Sequence, residues 1–202
     1  MIEIKNVKKS FGSEVLFENL SIKIARGEFI IICGESGSGK TTLLNMVGAL
    51  EKVDSGVILV NRMDISKKRN QLDYFRNTVG FLFQNFVLLE DKTVRQNLNI
   101  VRKQSRSGIT IEESLQKVGL ENKIDTKVYA LSGGEQQRVA LARLMIKKCS
   151  LILADEPTGS LDGKNTERVM DILTQMNKDG KTVILVTHNN DLRERGDRVI
   201  EL

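Results

Sequence analysis

The chain of 202 residues is 40% hydrophobic and 28% charged, a balance that predicts one globular domain with a substantial core. The two cysteines lack metal-ligand spacing and are too few for a disulfide scaffold. The apolar runs are too short for a membrane span, and the N-terminus is unlike a signal peptide, so we expect a cytoplasmic protein. A net charge of +5 with only 4% aromatic residues indicates a solvated lysine-rich surface and no nucleic-acid partner.

The first 24 residues indicate β-structure. Apolar residues alternate at Ile2, Ile4 and Val7, a spacing that directs one face of an opening strand into a core. A similar alternation between Val15 and Ile24 predicts further strands beside it. We expect these strands to form an antiparallel β edge subdomain.

The rest of the chain alternates between buried strands and helices. Phe29 to Cys33 is an uninterrupted apolar run, typical of a strand covered on both faces, and a helix is expected from Lys40 to Leu50. Further strands are predicted at residues 79–83, 151–154, 182–186 and 198–202. This alternation predicts an α/β fold with a mainly parallel sheet and helices on both faces.

One segment of the chain, from about residue 92 to residue 130, has few β-branched runs. Thr110 and Glu113 form a capping-box pattern that opens a helix, which we expect to end near Gly119. We predict an α-helical subdomain inserted into the α/β core. It begins within 92–130 and continues through the next helix to about residue 148, inside a single domain that spans residues 1–202.

A glycine-rich loop follows the strand at Phe29 to Cys33 and matches the pattern G-x-x-x-x-G-K-[ST]. Residue frequencies give roughly one chance match per hundred chains, and the position between a strand and a helix lowers that chance. Glycines let backbone N–H groups turn inward, and these groups form an anion nest with the helix N-terminus. The predicted site for a nucleoside triphosphate comprises Gly34, Glu35, Ser36, Gly37, Ser38, Gly39, Lys40, Thr41 and Thr42.

Three side chains of this loop have the chemistry that triphosphate binding needs. Lys40 can reach the β- and γ-phosphates, and the Thr41 hydroxyl can bind Mg²⁺. Thr42 begins the helix behind the loop and is placed to touch the α-phosphate. The loop therefore predicts binding of a nucleotide together with Mg²⁺.

The predicted strand at 151–154 ends in two carboxylates and the only proline of the chain. Asp155 is placed to hold Mg²⁺, directly or through water. Glu156, one residue further, would face the γ-phosphate and polarise the attacking water as a general base. The alternative is a strand that ends in a solvated acidic turn, which the phosphate loop disfavours.

His188 is the only histidine and follows the predicted strand at 182–186. A lone histidine is most often structural or exposed. Ligands of parallel sheets, however, lie at the carboxyl ends of the strands. We therefore expect His188 to contact the γ-phosphate and to orient Glu156.

Residues 131–138 read Leu-Ser-Gly-Gly-Glu-Gln-Gln-Arg, here called the signature segment. With the phosphate loop, Gln84 in Phe-Gln-Asn, and Ser-Leu-Asp at 160–162, they make the whole chain resemble the ATP-binding cassette (ABC) transporter ATPases, which have a P-loop NTPase core. Ser132 is also typical of an N-cap with Glu135 as its capping-box partner. Such a helix start is a second site suited to an anion.

The resemblance implies a second copy of the chain as partner. Two copies would pair head to tail around two ATP molecules. Ser132, Gly133 and Gly134 of one copy would then contact the γ-phosphate held by Lys40 of the other. Asp162 would cross the interface between the copies. Turnover would therefore need both copies.

The resemblance also implies roles for two residues outside these motifs. Phe11 would stack on the adenine, although an ordinary core aromatic is the alternative. Gln84 would contact Mg²⁺ and the attacking water and would report on a membrane partner. Among the apolar residues 86–89 beside it, which could line a groove for a partner helix, Val87 and Leu89 are expected in the core.

Within the family, the chain is most similar to the short ATPases of the lipoprotein-release, macrolide-export and bacteriocin-export branch. This implies an ATP-hydrolysing subunit on the inner face of the cell membrane, bound to an integral permease on a separate chain. The expected cargo is a peptide, an antibiotic or a lipid. An ATP-driven regulator of a membrane partner, without transport, is the alternative. A soluble ABC-type ATPase of DNA repair or translation is disfavoured, because those carry long coiled-coil inserts or two cassettes.

Overall fold

The computed structural model describes residues 2–159 and 161–202, so Ser160 of the Ser-Leu-Asp segment lies outside the described residues. Its strands are β1 (Ile2–Phe11), β2 (Glu14–Ile24), β3 (Phe29–Cys33), β4 (Ser55–Val60), β5 (Met63–Asp64), β6 (Val79–Leu82), β7 (Leu151–Asp155), β8 (Thr182–Val186) and β9 (Arg198–Glu201). Its α-helices are α1 (Lys40–Val47), α2 (Lys68–Asp73), α3 (Val94–Asn99), α4 (Ile111–Val118), α5 (Gly133–Ile146) and α6 (Gly163–Lys178). A π-helical turn at Tyr74–Thr78 links α2 to β6.

One sheet is antiparallel, with the strand order β2-β1-β4-β5. In the pairing of β1 with β2, Ile2 lies opposite Ile24 and Ile4 lies opposite Ile22. The expectation of further strands between Val15 and Ile24 was wrong in number, because this alternation belongs to the single strand β2. The antiparallel edge also contains β4 and β5, which the sequence analysis did not predict.

The other sheet is parallel, with the strand order β6-β7-β8-β3-β9. Val186 at the end of β8 lies opposite Ile32 of β3 and Asp155 of β7. The carboxyl ends of these three strands therefore lie side by side, and the segments that follow them meet at one edge of the sheet.

Alternate residues of β3 enter two different cores. Ile30 and Ile32 pack with residues of β1, β4 and α1, whereas Phe29, Ile31 and Cys33 pack with residues of helices α3 to α6. All five are at most 2% exposed, as an uninterrupted apolar strand predicts. These observations confirm an α/β fold with one parallel and one antiparallel sheet.

The segment between β6 and β7 is helical in the part of the chain that the structure describes. Capping boxes begin α3 at Thr93 and α4 at Thr110, and α4 ends at Gly119 with the left-handed φ of 66° that favours glycine. Helices α3 and α4 pack against α5 in the core that also contains Phe29, Ile31 and Cys33 of β3. Among the described residues, no helix is long and apolar enough to cross a membrane.

Candidate functional site

Glycines shape the loop between β3 and α1. Gly34, Gly37 and Gly39 have φ values of 150°, 87° and 95°. A Cβ atom on Gly39 would lie 2.6 Å from Phe17 Cζ, and one on Gly34 would lie 2.3 Å from the Leu202 carbonyl oxygen. Side chains at these positions would therefore clash with β2 and with the chain after β9. The loop keeps its path because these positions are glycine.

The Lys40 ammonium lies inside this loop. Its Nζ donates hydrogen bonds to the carbonyl oxygens of Gly34 (2.9 Å) and Glu35 (2.5 Å) and lies 3.5 Å from Ser38 Oγ. The positive charge is therefore held at the centre of the turn, beside the N-terminus of α1. This arrangement suits an anion, because the helix start and the ammonium present positive charge in the same direction.

Two of the side chains predicted to bind Mg²⁺ are in contact. Thr41 Oγ1 donates a hydrogen bond of 3.0 Å to Asp155 Oδ1 and so joins the start of α1 to the end of β7. Burial raises the pKa of the Asp155 carboxyl and Glu156 adds to the effect, whereas Thr41 and Lys40 oppose it.

A metal ion at this point would need ligands from outside the protein. Among the described residues, no group of three His, Cys, Asp or Glu side chains could hold a metal on its own. One hydroxyl and one carboxylate fit Mg²⁺, since this ion usually takes few protein ligands and completes its shell with water and substrate phosphates.

Glu156 is held at both carboxylate oxygens. His188 Nδ1 lies 2.9 Å from Oε1, and Thr187 Oγ1 donates to Oε2 at 3.3 Å. The backbone N–H of Glu156 donates to the Val186 carbonyl at 3.0 Å. Its φ of 44° is unusual for a residue with a side chain, so neighbouring contacts must hold this conformation. The structure thus brings together Glu156 and His188 and adds Thr187, which the sequence analysis missed although it directly precedes the histidine.

A cavity of about 460 Å³ connects the phosphate loop with the antiparallel sheet. Phe11 lies in its wall and is 49% exposed, so it is not an ordinary core aromatic. Lys9 Nζ lies 4.5 Å from the centroid of the Phe11 ring, a cation–π contact that the sequence analysis missed. The other lining residues are Glu14, Leu16, Ser36, Gly37, Gly39, Lys40, Thr41, Thr42, Glu156 and Val186.

Two groups of predicted site residues lie elsewhere. The segment 132–134 and Gln84 are not among the residues that line this cavity in the described part of the chain. Ser132 caps α5, as predicted, because its Oγ accepts from the Glu135 N–H while Glu135 Oε2 accepts from the Ser132 N–H. Ser132 and Gly133 are exposed, and Gln84 is exposed beside Gly159. The predicted anion site at the start of α5 is therefore not part of the cavity that Lys40 of the same copy lines.

The start of α6 is joined to the signature helix α5. Asp162 caps α6 by accepting from the Asn165 N–H at 2.8 Å, and this bond lowers the pKa of the Asp162 carboxyl. Asn165 Nδ2 donates to Asp162 Oδ2 at 2.9 Å, and Arg138 Nη1 donates to Asn165 Oδ1 at 2.5 Å. Asp162 is therefore joined to α5 through Asn165 and Arg138.

Residues 86–89 show a burial pattern opposite to the expected one. Val87 and Leu89 are 53% and 50% exposed, whereas Phe86 and Leu88 pack against the core, so the expectation for Val87 and Leu89 was wrong. The physical reason is a left-handed backbone at Phe86 and Val87, with φ of 59° and 49°, which turns the chain and inverts the alternation. Arg143 of α5 donates to both carbonyl oxygens, at 2.8 and 2.5 Å.

These features define a P-loop nucleoside triphosphatase: the phosphate loop, the Thr41–Asp155 pair and the restrained Glu156 all lie at one edge of a parallel sheet.

The sequence profile of the ABC transporter family matches residues 17–159. The macrolide export ATP-binding/permease protein MacB of Campylobacter fetus is 41% identical over all of this chain and 33% of its own length. The ABC transporter ATP-binding protein YvrO of Bacillus subtilis is 39% identical over 99% of this chain and 92% of its own.

Solved structures agree with these sequence relatives. The dimeric ABC transporter cassette MJ0796 superposes with a TM-score of 0.90 and 36% identity, over all of this chain and 94% of that one. The chain belongs to the ABC transporter family. It is an ATP-binding cassette of this family and is an ATPase. It spans about a third of the length of MacB and nearly all of YvrO.

Proposed function

We propose that this cassette hydrolyses ATP as one of two identical copies that drive export through an integral membrane permease. The observation that carries the proposal is the division of the site within one copy. Lys40 and Glu156 line one cavity, whereas Ser132 begins a capped helix that is exposed outside it. A second copy, turned head to tail, supplies the missing helix start to the phosphate that Lys40 holds.

Within one copy, the described contacts support a division of labour at the triphosphate. The N–H groups of residues 34–42 and the Lys40 ammonium bind the phosphates, while Phe11 stacks on the adenine. Glu156 accepts a proton from the attacking water, and His188 orients the carboxylate and contacts the γ-phosphate. Thr41, Asp155 and Gln84 would hold Mg²⁺, which would neutralise phosphate charge.

The second copy contributes through α5. This helix has 14 residues, and its first turn presents the backbone N–H groups of Gly133 and Gly134 beside the Ser132 hydroxyl. A helix start of this kind stabilises negative charge. The related cassette MJ0796 was solved as a dimer and also in a post-hydrolysis state bound to ADP and phosphate. Asp162, which is joined to α5 through Asn165 and Arg138, lies across the same interface.

The permease docks beside residues 84–89, on the inner face of the membrane. A groove of about 250 Å³ there is lined by Phe81, Phe83, Val87, Ile100 and Arg143, among others. Its wall is mainly apolar, which suits a short amphipathic helix of a partner. The MacB relatives are named as combined ATP-binding and permease proteins for macrolide export. We propose a peptide, an antibiotic or a lipid as cargo of the permease that this chain serves.

The Glu156→Gln variant tests the two-copy mechanism. It keeps the size of the side chain but cannot accept the proton of water, so it should bind ATP without turning it over. We expect a monomer with ADP and a dimer with ATP and Mg²⁺, as measured by size-exclusion chromatography with light scattering. Glu194→Gln, at an exposed glutamate that does not line the cavity, is the matched control and should hydrolyse ATP at the wild-type rate.

Two results would contradict the proposal. Hydrolysis by Glu156→Gln at the wild-type rate would show that Glu156 is not the general base. A Glu156→Gln protein that binds ATP but stays monomeric would show that ATP does not bring two copies together.

A further inference from the structure

A buried glutamine joins the signature helix to the turn that carries the general base. Gln137 of α5 is fully buried, and its Nε2 donates a hydrogen bond of 2.6 Å to the carbonyl oxygen of Pro157. Pro157 is also buried and directly follows Glu156. One hydrogen bond therefore connects the second turn of α5 to the residue that directly follows the catalytic carboxylate.

The turn after Glu156 depends on restraints from outside. Glu156 has a left-handed φ of 44°, and the turn is closed by a 3.2 Å hydrogen bond from the Gly159 N–H to the Glu156 carbonyl. The Val186 carbonyl holds the N–H of Glu156 on one side, and Gln137 holds the carbonyl of Pro157 on the other. A backbone conformation of this kind persists only when its neighbours restrain it.

A glutamine side chain at this buried position carries a free-energy cost. Its Oε1 is buried and has no hydrogen-bond partner among the described residues. Buried polar atoms are nearly always paired, and an aliphatic side chain would fill the space without an unpaired oxygen. The amide N–H, rather than packing, therefore explains a glutamine at this point of the core.

A second connection runs parallel to the first. Asn165 accepts from Arg138 of α5 and donates to Asp162, and a Cβ atom on Gly134 would lie 3.0 Å from Asn165 Nδ2. The first two turns of α5 thus contact two separate residues after β7, Pro157 and Asn165. Hydrogen bonds therefore join α5 to Pro157 directly and to Asp162 through Asn165.

We propose that Gln137 is a positioning residue that couples the start of α5 to Glu156 of the same copy. The inference rests on the proposed two-copy mechanism, in which the start of α5 contacts the ATP of the other copy. When Ser132 and Gly134 close on that ATP, Gln137 carries the shift to Pro157 and aligns Glu156 in its own site. Occupation of one site thereby controls hydrolysis in the other.

The Gln137→Met variant keeps the volume of the side chain and removes the donor. We expect kcat for ATP to fall by about tenfold or more, since a small misplacement of a catalytic group is costly. The KM for ATP should change by less than about twofold, because the phosphate loop is untouched. The Hill coefficient for ATP should fall towards one. ATP-dependent dimers should still form in a Glu156→Gln background.

Val139→Ala is the matched control, since Val139 is fully buried on the same helix and has no polar side-chain atom. It should lower the melting temperature at least as much as Gln137→Met and keep the wild-type kcat. A kcat within about twofold of wild type in Gln137→Met would overturn the inference, and so would an equal loss of kcat in Val139→Ala.

Gln137→Glu provides a second readout. A protonated carboxyl can donate to the Pro157 carbonyl and an ionised one cannot, so its kcat relative to wild type should rise as the pH falls. A ratio that does not change with pH would contradict the inference. Wild-type hydrolysis by Glu156→Gln would instead refute the proposed function, independently of any Gln137 variant.

Discussion

His188 Nδ1 lies 2.9 Å from Glu156 Oε1, and this contact joins the segments that follow two neighbouring strands of the parallel sheet, β8 and β7. The Glu156 side chain is 14% exposed, whereas that of His188 is 69% exposed. The histidine is therefore much more accessible to a ligand than the carboxylate that it contacts. With Thr187 on the other oxygen, the carboxylate has little freedom to rotate away from the phosphate loop.

His188→Ala tests whether this restraint serves hydrolysis. We expect kcat for ATP to fall by about a hundredfold, because the carboxylate loses its orientation and the γ-phosphate loses a donor. The KM for ATP should change much less, since most phosphate contacts come from the loop. Phosphate release at several ATP concentrations measures both constants. Asn190→Ala, at an exposed position two residues further, is the control, and an equal loss there would contradict the role of His188.

The strands of the parallel sheet were predictable, because their pattern is local. Phe29–Cys33 and Thr182–Val186 are strands at the residues that the uninterrupted apolar runs indicate. The strand Ser55–Val60 was missed, since it pairs with β1, about fifty residues earlier in the chain, and this pairing leaves no local signal in the sequence. The inverted exposure of Val87 likewise depends on a left-handed backbone and on the distant Arg143.

The contacts of the candidate site also differ in whether a local sequence pattern predicts them. His188 was expected to meet Glu156 because ligands of parallel sheets lie at the carboxyl ends of the strands, and the two side chains are in contact. Thr41 and Asp155 were each expected to bind Mg²⁺, and they too are in contact. The bond from Gln137 to Pro157 joins two motifs that are separated along the chain. No local pattern contains it, because it arises from how α5 packs against the end of β7.

Phe11→Ala tests the aromatic wall of the cavity. Stacking on a base is worth ~1–3 kcal/mol, so the KM for ATP should rise by about tenfold while kcat changes little. Phe11→Tyr should restore the wild-type KM, because it keeps the ring. Val15→Ala, at a residue of the same sheet that is 51% exposed and does not line the cavity, is the control. An unchanged KM in Phe11→Ala would show that the ring does not contact the adenine.

Lys9→Met tests the support of that ring. Lys9 is 6% exposed, pairs with Glu51 at 2.6 Å and lies against the Phe11 ring, so it fixes the position of the aromatic side chain. We expect a smaller rise in the KM for ATP than Phe11→Ala causes, and no further rise when both changes are combined. A double variant whose KM is the product of the two separate effects would show that Lys9 does not act through Phe11.

Arg143→Met tests the restraint on residues 84–89. The guanidinium is partly buried, which lowers its pKa, and it donates to the carbonyl oxygens of Phe86 and Val87, whose backbone is left-handed. Without these two bonds, the strained backbone should open more often. We expect amide hydrogen exchange over residues 85–89 to accelerate by about tenfold. Arg102→Met, at an exposed arginine, should leave the exchange unchanged. Equal exchange in both variants would contradict the prediction.

Glu135→Gln tests the capping box of the signature helix through its pH dependence. The backbone N–H of Ser132 lowers the pKa of the Glu135 carboxyl below its usual 4.5. A carboxyl group whose pKa is lowered by folding stabilises the fold fully at pH values above its usual pKa. This stabilisation is lost as the pH falls through the lowered pKa. Wild type should therefore be more stable than Glu135→Gln at neutral pH, since the carboxylate also favours a helix N-terminus. The advantage should disappear in acid, once the pH has fallen through the lowered pKa, because the neutral glutamine accepts the same hydrogen bond at every pH. Urea unfolding at both pH values measures it, with Glu194→Gln as the exposed control, and an advantage that persists in acid would mean that the carboxylate does not stabilise the cap.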